Sequence, residues 1–384
     1  MQLLFESLFN GVAIGSVLLM AALGLAIVFG LMGVINLAHG ELIMLGAYTT
    51  YVVQLIFKLP AFEPVYNLYV LVAIPLAFLV SGVVGILLER TVIRRLYGNP
   101  LETLLATWGV SLILQQFVRS VPLATAAGVV LALVVGFSLP LVLPAPLLEG
   151  PRARLVRAGC WATSALAGVL LAGGLASQIS RIARATSRNV DVTAPQWMRG
   201  GLEWADLTLP VPRLVIIVMT VVSVLGVTLF LNRSVWGTRI RAVTQNRSMS
   251  DCLGIPTDTV DVLTFGIGSG LAGIAGVAVS LLGSVGPNVG GSYIVGCFMV
   301  VVLGGVGNLF GAVLASFAIG WLTDLIGAGR LLTLWPAMPS PLAATVKFFA
   351  TTSMAQVMVF ALIVLFLQFR PAGLFPQKGR MVEA

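Results

Sequence analysis

The sequence predicts an all-α, polytopic membrane protein. It reads as a single transmembrane domain over residues 1–384, with about eight or nine spans, an inserted transmembrane hairpin and a broken or re-entrant helix near residues 304–308. Three observations predict this. Hydrophobic residues make up 58% of the chain and charged residues 9%, against about 25% charged in a soluble domain, so the polar surface is too small to coat a water-exposed globule. The apolar residues gather in runs of roughly 20, the length that crosses a bilayer. The basic residues, which give a net charge of +8, sit in short clusters between those runs. That is the pattern of loops at a cytoplasmic membrane face, not of a nucleic-acid-binding surface.

The apolar runs cover residues 9–31, 40–57, 66–88, 101–118, 123–143, 161–175, 214–231, 262–282, 293–325 and 344–367. The ninth is interrupted by Gly304-Gly305-Val306-Gly307-Asn308. If both of its pieces cross, the chain makes about eleven crossings. Backbone groups freed at such a break cannot face lipid; they form a tight turn buried in protein or line a watery route.

The bias of Lys and Arg toward the cytoplasm sets the orientation. Placing the loop 232–261 inside, with Arg233, Arg239, Arg241 and Arg247, also places Arg90–Arg95 and Arg152–Arg157 inside and the N-terminus outside, and the C-terminal tail inside provided that 293–325 crosses an even number of times. Arg181, Arg184 and Arg188 depart from this by falling outside. The first residues carry Glu6 and no basic residue, so the first span reads as retained rather than cleaved as a signal. Cys160, Cys252 and Cys297 are far apart and lack metal-ligand spacing. The sole histidine, His39, cannot build a metal cage, so no metal and no bound cofactor is expected.

Four features carry the candidate chemistry. Asn36, His39 and Glu41 bring three polar side chains to the junction of the first two spans, as a helix junction or as part of a pathway. Gln115 and Gln116 lie in the fourth run. An amide in hydrocarbon needs partners: it bonds another helix, or lines a pore where a neutral amide or urea would match it as donor and acceptor. Gly268-Ser269-Gly270-Leu271-Ala272-Gly273 fits a dinucleotide-binding pattern in letters, but it lies inside an apolar span and not between a strand and a helix. Its small residues suit close helix packing. The loop 232–261 is polar and basic, and its centre reads as a short helix capped by Gly254 and stopped by Pro256. It is either a solvated surface helix or a docking element for a cytoplasmic partner. None of the lysines follows a glycine, so the chain has no P-loop.

The segments 24–48 (GLAIVFGLMGVINLAHGELIMLGAY), 106–116 (ATWGVSLILQQ), 189–197 (NVDVTAPQW), 241–255, 284–290 (SVGPNVG) and 304–308 together resemble the permease subunits of branched-chain amino acid-type ABC importers. The resemblance is closest to the urea-importer branch, through Trp108, Gln115-Gln116 and 189–197. It implies a multi-pass protein of the bacterial inner membrane, paired with a sister permease as a heterodimer. Cytoplasmic ATP-binding subunits would hydrolyse ATP and seat on a coupling loop at 232–261, through Arg239, Arg241, Asn246, Arg247 and Gly254. A periplasmic binding protein would deliver solute. The pathway candidates are then Asn36, His39, Glu41, Gln115, Gln116, Asn288, Gly304, Gly305 and Gly307. Two departures stand out: residues 121–187 look like an inserted hydrophobic hairpin, and Gly296 stands where an acidic residue is expected.

Urea is thus the expected solute, with a branched-chain amino acid as the alternative. A passive channel for a small neutral solute would need no docking loop. An ion-coupled carrier is weakened by the scarcity of ionisable residues in the spans, where Glu41 and Asp324 are the main ones.

Overall fold

The computed structural model describes residues 2–58, 63–120, 189–204, 207–330 and 350–375, with 163, 164, 166, 168 and 347. The chain divides into two compact units. The first comprises Met1–Asn36, Gln196–Leu271 and Ser292–Ala384, and the second Leu37–Pro195 and Ala272–Gly291. The helices are α1 (Gln2–Ile27, continued by a π turn over Val28–Met32), α2 (His39–Phe57), α3 (Tyr69–Thr91), α4 (Pro100–Ser120), α5 (Val211–Arg233), α6 (Val235–Gln245), α7 (Arg247–Cys252), α8 (Thr257–Leu282), α9 (Val289–Gly304), α10 (Leu309–Gly327) and α11 (Thr352–Phe369). Among the described residues, seven helices are long and apolar enough to cross a membrane, and α9 and α11 are shorter apolar helices. The expected runs 123–143 and 161–175, and with them the inserted hairpin, lie outside the described residues apart from 163, 164, 166 and 168.

In the first unit, small residues let α1 and α10 pack backbone to backbone. A Cβ on Gly15 would stand 2.9 Å from the Phe317 Cα, and one on Gly320 would run into the backbone of Gly11 and Gly15. With no water to expel between helices, such close approach is what holds a membrane pair together. Polar side chains on these helices find partners. The Ser7 hydroxyl donates to Asp324 at 2.9 Å, and Arg330 pairs with the same carboxylate at 3.3 Å. Thr220 of α5 donates to the Ser16 carbonyl at 3.1 Å, and Arg213 donates to Asn10.

The break after α9 is a packed turn. Gly305 and Gly307 adopt φ of 99° and 86°, values that side chains resist. A Cβ on Gly305 would meet the Phe375 carbonyl, and one on Gly307's neighbour in space, Gly30, would meet the Gly307 backbone. The Leu374 N–H donates to the Leu303 carbonyl at 2.8 Å, and the Asn308 side chain caps α10 by accepting from the Gly311 N–H. Freed backbone groups are thereby met by protein.

In the second unit, α2 packs on α3 and on the C-terminal part of α8, from Ala272 on. Ser81 donates to the Leu42 carbonyl at 3.0 Å. Gly273 faces the Ala77 carbonyl and Ser81, and Gly276 faces α2 at Ile43 and Ala47, with no room for a Cβ at either. The glycine-rich letters of α8 therefore serve helix packing. Two extended segments cross at an antiparallel bridge between Val190 and Val285, with hydrogen bonds of 2.8 and 2.7 Å. That bridge is packed with Met44, Tyr48 and Tyr51.

One element was not anticipated: a short hairpin, β1 (Gly201–Trp204) and β2 (Leu207–Pro210), paired antiparallel with Leu202 opposite Leu209. Strands of four residues carry too little alternation to register as a pattern.

Candidate functional site

The second unit assembles a polar stripe on α4. Trp108, Ser111, Gln115 and Arg119 recur at intervals of three and four residues, which places them on one helical face. Thr103, Thr107 and Val118 are the buried residues of this helix, and Thr107 accepts from the Leu37 N–H at 3.2 Å. Most of the rest is bare: Leu101, Leu105, Trp108, Leu112, Ile113 and Phe117 are exposed.

Glu41, in the first turn of α2, meets the middle of this stripe. Its side chain is buried, and its Oε1 accepts from the Ser111 hydroxyl at 3.1 Å. Its Oε2 is also buried, with no hydrogen-bond partner among the described residues. The start of a helix favours a carboxylate through its free N–H groups, but burial still leaves one acceptor oxygen unused. Gly290 brings the start of α9 against the backbone of Gly40 and Glu41, closer than a Cβ would allow.

One helical turn further on, the Gln115 amide donates to the Pro287 carbonyl and to Asn288 Oδ1, both at 3.2 Å. Arg119 donates to the same Asn288 oxygen. A carboxylate, a hydroxyl, two carboxamides and a guanidinium thus converge from α2, α4 and the link before α9. Together they offer donors and acceptors in alternation, as recognition of a small polar solute requires.

Of the pathway candidates read from the sequence, the structure brings Glu41, Gln115 and Asn288 together. Gln116 points elsewhere and donates to Ser120 at 3.3 Å. Asn36 and His39 are fully buried at either side of the α1–α2 link. Gly304, Gly305 and Gly307 belong to the packed turn of the first unit. Ser111 and Arg119 were missed. Their spacing from Gln115 is the signal in the sequence that points to them, and the apolar residues interleaved along the same helix mask it. At Gly296 a Cβ would meet only the Leu18 Cδ2, at 2.9 Å, so a larger side chain there needs Leu18 to move.

The loop 232–261 holds two helices rather than one. Arg239 lies over the Trp236 ring at 4.8 Å, and Arg241 donates to the Leu231 carbonyl. Asn246 caps α7 by accepting from the Met249 N–H at 2.9 Å. Arg247 pairs with Asp261, and Gly254 ends the motif at φ 78°. The short α7 projects Met249 and Leu253 into the open, at 60% and 73% exposure. Apolar tips on an otherwise polar loop suit burial against a protein partner.

Comparison with known proteins places the chain among transport components. The family described as "Branched-chain amino acid transport system / permease component" matches residues 7–120 and 104–367. The high-affinity branched-chain amino acid transport system permease protein LivH of Salmonella typhimurium is 25% identical over 378 residues, covering 96% of this chain and 94% of the relative. BraD of Pseudomonas aeruginosa, of the same description, is 26% identical over 371 residues with the same coverage. LivH of Escherichia coli K12 is 25% identical over 376 residues. No solved structure gives a significant match.

Proposed function

The chain belongs to the family of branched-chain amino acid transport permease components, and on that premise we propose that it is the membrane-spanning subunit of an ATP-driven importer carrying urea or a related small amide. It is a multi-pass protein of the bacterial inner membrane. ATP hydrolysis falls to partner subunits seated on α6 and α7, where Met249 and Leu253 form the contact. A periplasmic binding protein supplies the solute. A sister permease covers the bare face of α4, whose Gln115, Gln116 and Arg119 are too polar to face lipid.

The observation that carries the solute assignment is the stripe of Glu41, Ser111, Gln115 and Asn288. Urea presents four N–H donors around one carbonyl. The Oε2 of Glu41, buried and without a hydrogen-bond partner among the described residues in this state, accepts from it once the pore opens, and the Gln115 amide donates to its oxygen in place of the Asn288 bond it makes now. Alternating access follows if ATP-driven closure of the partner subunits favours one state of the pore over the other. A branched-chain amino acid is the second reading, favoured by the names of LivH and BraD.

Uptake of labelled urea and labelled leucine by cells lacking the chain, with and without its restored copy, tests the proposal. Restored urea uptake that stops when ATP is depleted supports it. Restored leucine uptake alone moves the assignment to amino acids, and uptake that survives ATP depletion makes the protein a channel.

A further inference from the structure

The second unit buries one polar group that the stripe on α4 does not include. Tyr48 lies seven residues after Glu41 on α2, two helical turns along the same face. It is 6% exposed, and its hydroxyl has no hydrogen-bond partner among the described residues. Tyr69 on α3 shows the ordinary alternative: its hydroxyl donates to the Thr193 carbonyl at 2.7 Å. A buried hydroxyl without a partner is unfavourable. Phenylalanine would fill the same apolar surroundings, which include Met44, Val118, Val190 and Val285, without that cost. The hydroxyl therefore calls for a partner that this arrangement of the chain does not supply.

Register places the group on the route of the solute. Leu37 bonds Thr107 and Glu41 bonds Ser111, each pair 70 residues apart, so α2 and α4 run side by side with a constant offset. The same offset sets Tyr48 level with Val118, its neighbour in the apolar cluster, and next to the level of Arg119. The charge of Arg119 reaches both Glu41 and Tyr48. Tyr48 thus stands at the outer end of the polar stripe, about 10 Å beyond the level of Glu41 at 1.5 Å per residue. Its cover includes Val190 and Val285, which are joined to each other by the two hydrogen bonds of one antiparallel bridge. The segment that carries Val285 leads into Pro287 and Asn288, the partners of Gln115 and Arg119.

We infer that Tyr48 is a specificity-determining residue of the pathway, whose hydroxyl bonds the polar solute at the outer end of the stripe before the solute reaches Glu41. A hydroxyl both donates and accepts, so it matches a solute that carries N–H groups around a carbonyl. The Val190–Val285 bridge parts to expose it. A solute that draws Gln115 away from Asn288 frees the same segment from α4, which couples recognition at the stripe to the opening of this cover. The identity of the solute rests on the small-amide importer proposed above; the placement of Tyr48 rests on α2 and α4 alone.

Uptake of labelled urea by cells lacking the chain, with a restored copy, tests the inference, alongside the melting temperature of each purified variant in detergent. Tyr48→Phe removes only the hydroxyl. Maximal uptake per folded copy should fall five- to tenfold, the worth of one hydrogen bond, while the melting temperature stays level or rises. The ratio of N,N′-dimethylurea to urea uptake should rise at least threefold, because the variant lacks a group that selects for N–H donors. Urea uptake within twofold of wild type overturns the inference. So does a fall of several degrees in melting temperature, the mark of a hydroxyl that serves the fold. Val190→Cys with Val285→Cys, combined with Cys160→Ser, Cys252→Ser and Cys297→Ser, gives a second measurement. Residues paired across such a bridge lie about 5.5 Å apart at Cα, within reach of a disulfide. Oxidation should stop uptake and reduction restore it; uptake that persists through the cross-link means that the solute passes without Tyr48 and overturns the inference. A wild-type copy that restores leucine uptake and no urea uptake removes the small amide instead. Maximal uptake by both variants is then read on leucine, so the solute and the residue fail separately.

Discussion

Helices α1 and α4 are both long enough to span the membrane, yet the chain treats them in opposite ways. In the most apolar part of α1, 78% of residues are buried, against 11% in α4. α1 lies against α10 through glycines, and its few polar groups are answered by neighbours: Ser7 by Asp324, the Ser16 carbonyl by Thr220. α4 keeps a row of polar side chains on a helix that the other described residues hardly cover. In a bilayer the first arrangement gives a scaffold, because close packing is the main attraction between helices. The second is tolerated only where water, solute or another subunit meets the polar face.

Glycine substitutions break this comparison most sharply. Gly320→Leu forces a side chain into the backbone of Gly11 and Gly15. It should cost about 3 kcal/mol or more, as overpacking does, and appear as a large drop in melting temperature and folded yield in detergent. Gly109→Leu makes the same chemical change on α4, where a Cβ meets nothing within 4 Å. Its melting temperature should stay level or rise, since leucine favours a helix over glycine by about 1 kcal/mol. Equal losses at both positions would mean that α4 is packed as tightly as α1.

Gln115→Ala turns the comparison to function. It removes hydrogen bonds to Pro287 and Asn288, each with a net value of about 1 kcal/mol. Uptake of urea in reconstituted vesicles should fall about tenfold, with a smaller fall in melting temperature than Gly320→Leu gives. Glu41→Gln keeps the shape and the bond from Ser111 but puts an amide NH2, a donor only, in place of the unpartnered oxygen. A threefold to tenfold loss of uptake is expected, about one lost acceptor. A loss in melting temperature with uptake per folded molecule unchanged would make Glu41 a structural group.

The contrast also explains what could be read in the sequence. Runs of apolar residues located the helices, because lipid imposes their length directly. Gly254, Pro256 and the Gly304–Asn308 break were legible because they mark backbone conformations with few alternatives. The convergence of Glu41, Ser111 and Asn288 was not legible as a set: these residues are up to 247 positions apart (Glu41 to Asn288), and only the packing of α2, α4 and the link before α9 joins them. Ser111 has no distinguishing feature in the sequence beyond its spacing from Gln115. The pairing of Arg247 with Asp261 was hidden similarly, since the intervening α7 turns the chain back before α8 begins.

The smallest expected effect lies at Gly254, and its value is in being local. At φ 78° a Cβ costs about 1 kcal/mol, but nothing lies within 4 Å of where that Cβ would be. Gly254→Ala therefore strains one turn without a clash. The Gly254 N–H bonds the Asp251 carbonyl and the Ile255 N–H bonds the Ser250 carbonyl, at 3.0 and 3.1 Å, so relief of the strain unwinds the end of α7 and tilts Met249 and Leu253. Helix packing far from this loop is untouched, and the global melting temperature should move by a degree or two. If α7 is the contact for the ATPase, the same change should lower transport-coupled ATP hydrolysis by several-fold while urea binding to the isolated chain persists. Unchanged coupling would separate α7 from energy transfer and leave α6, with Arg239 set over Trp236, as the element that receives the push.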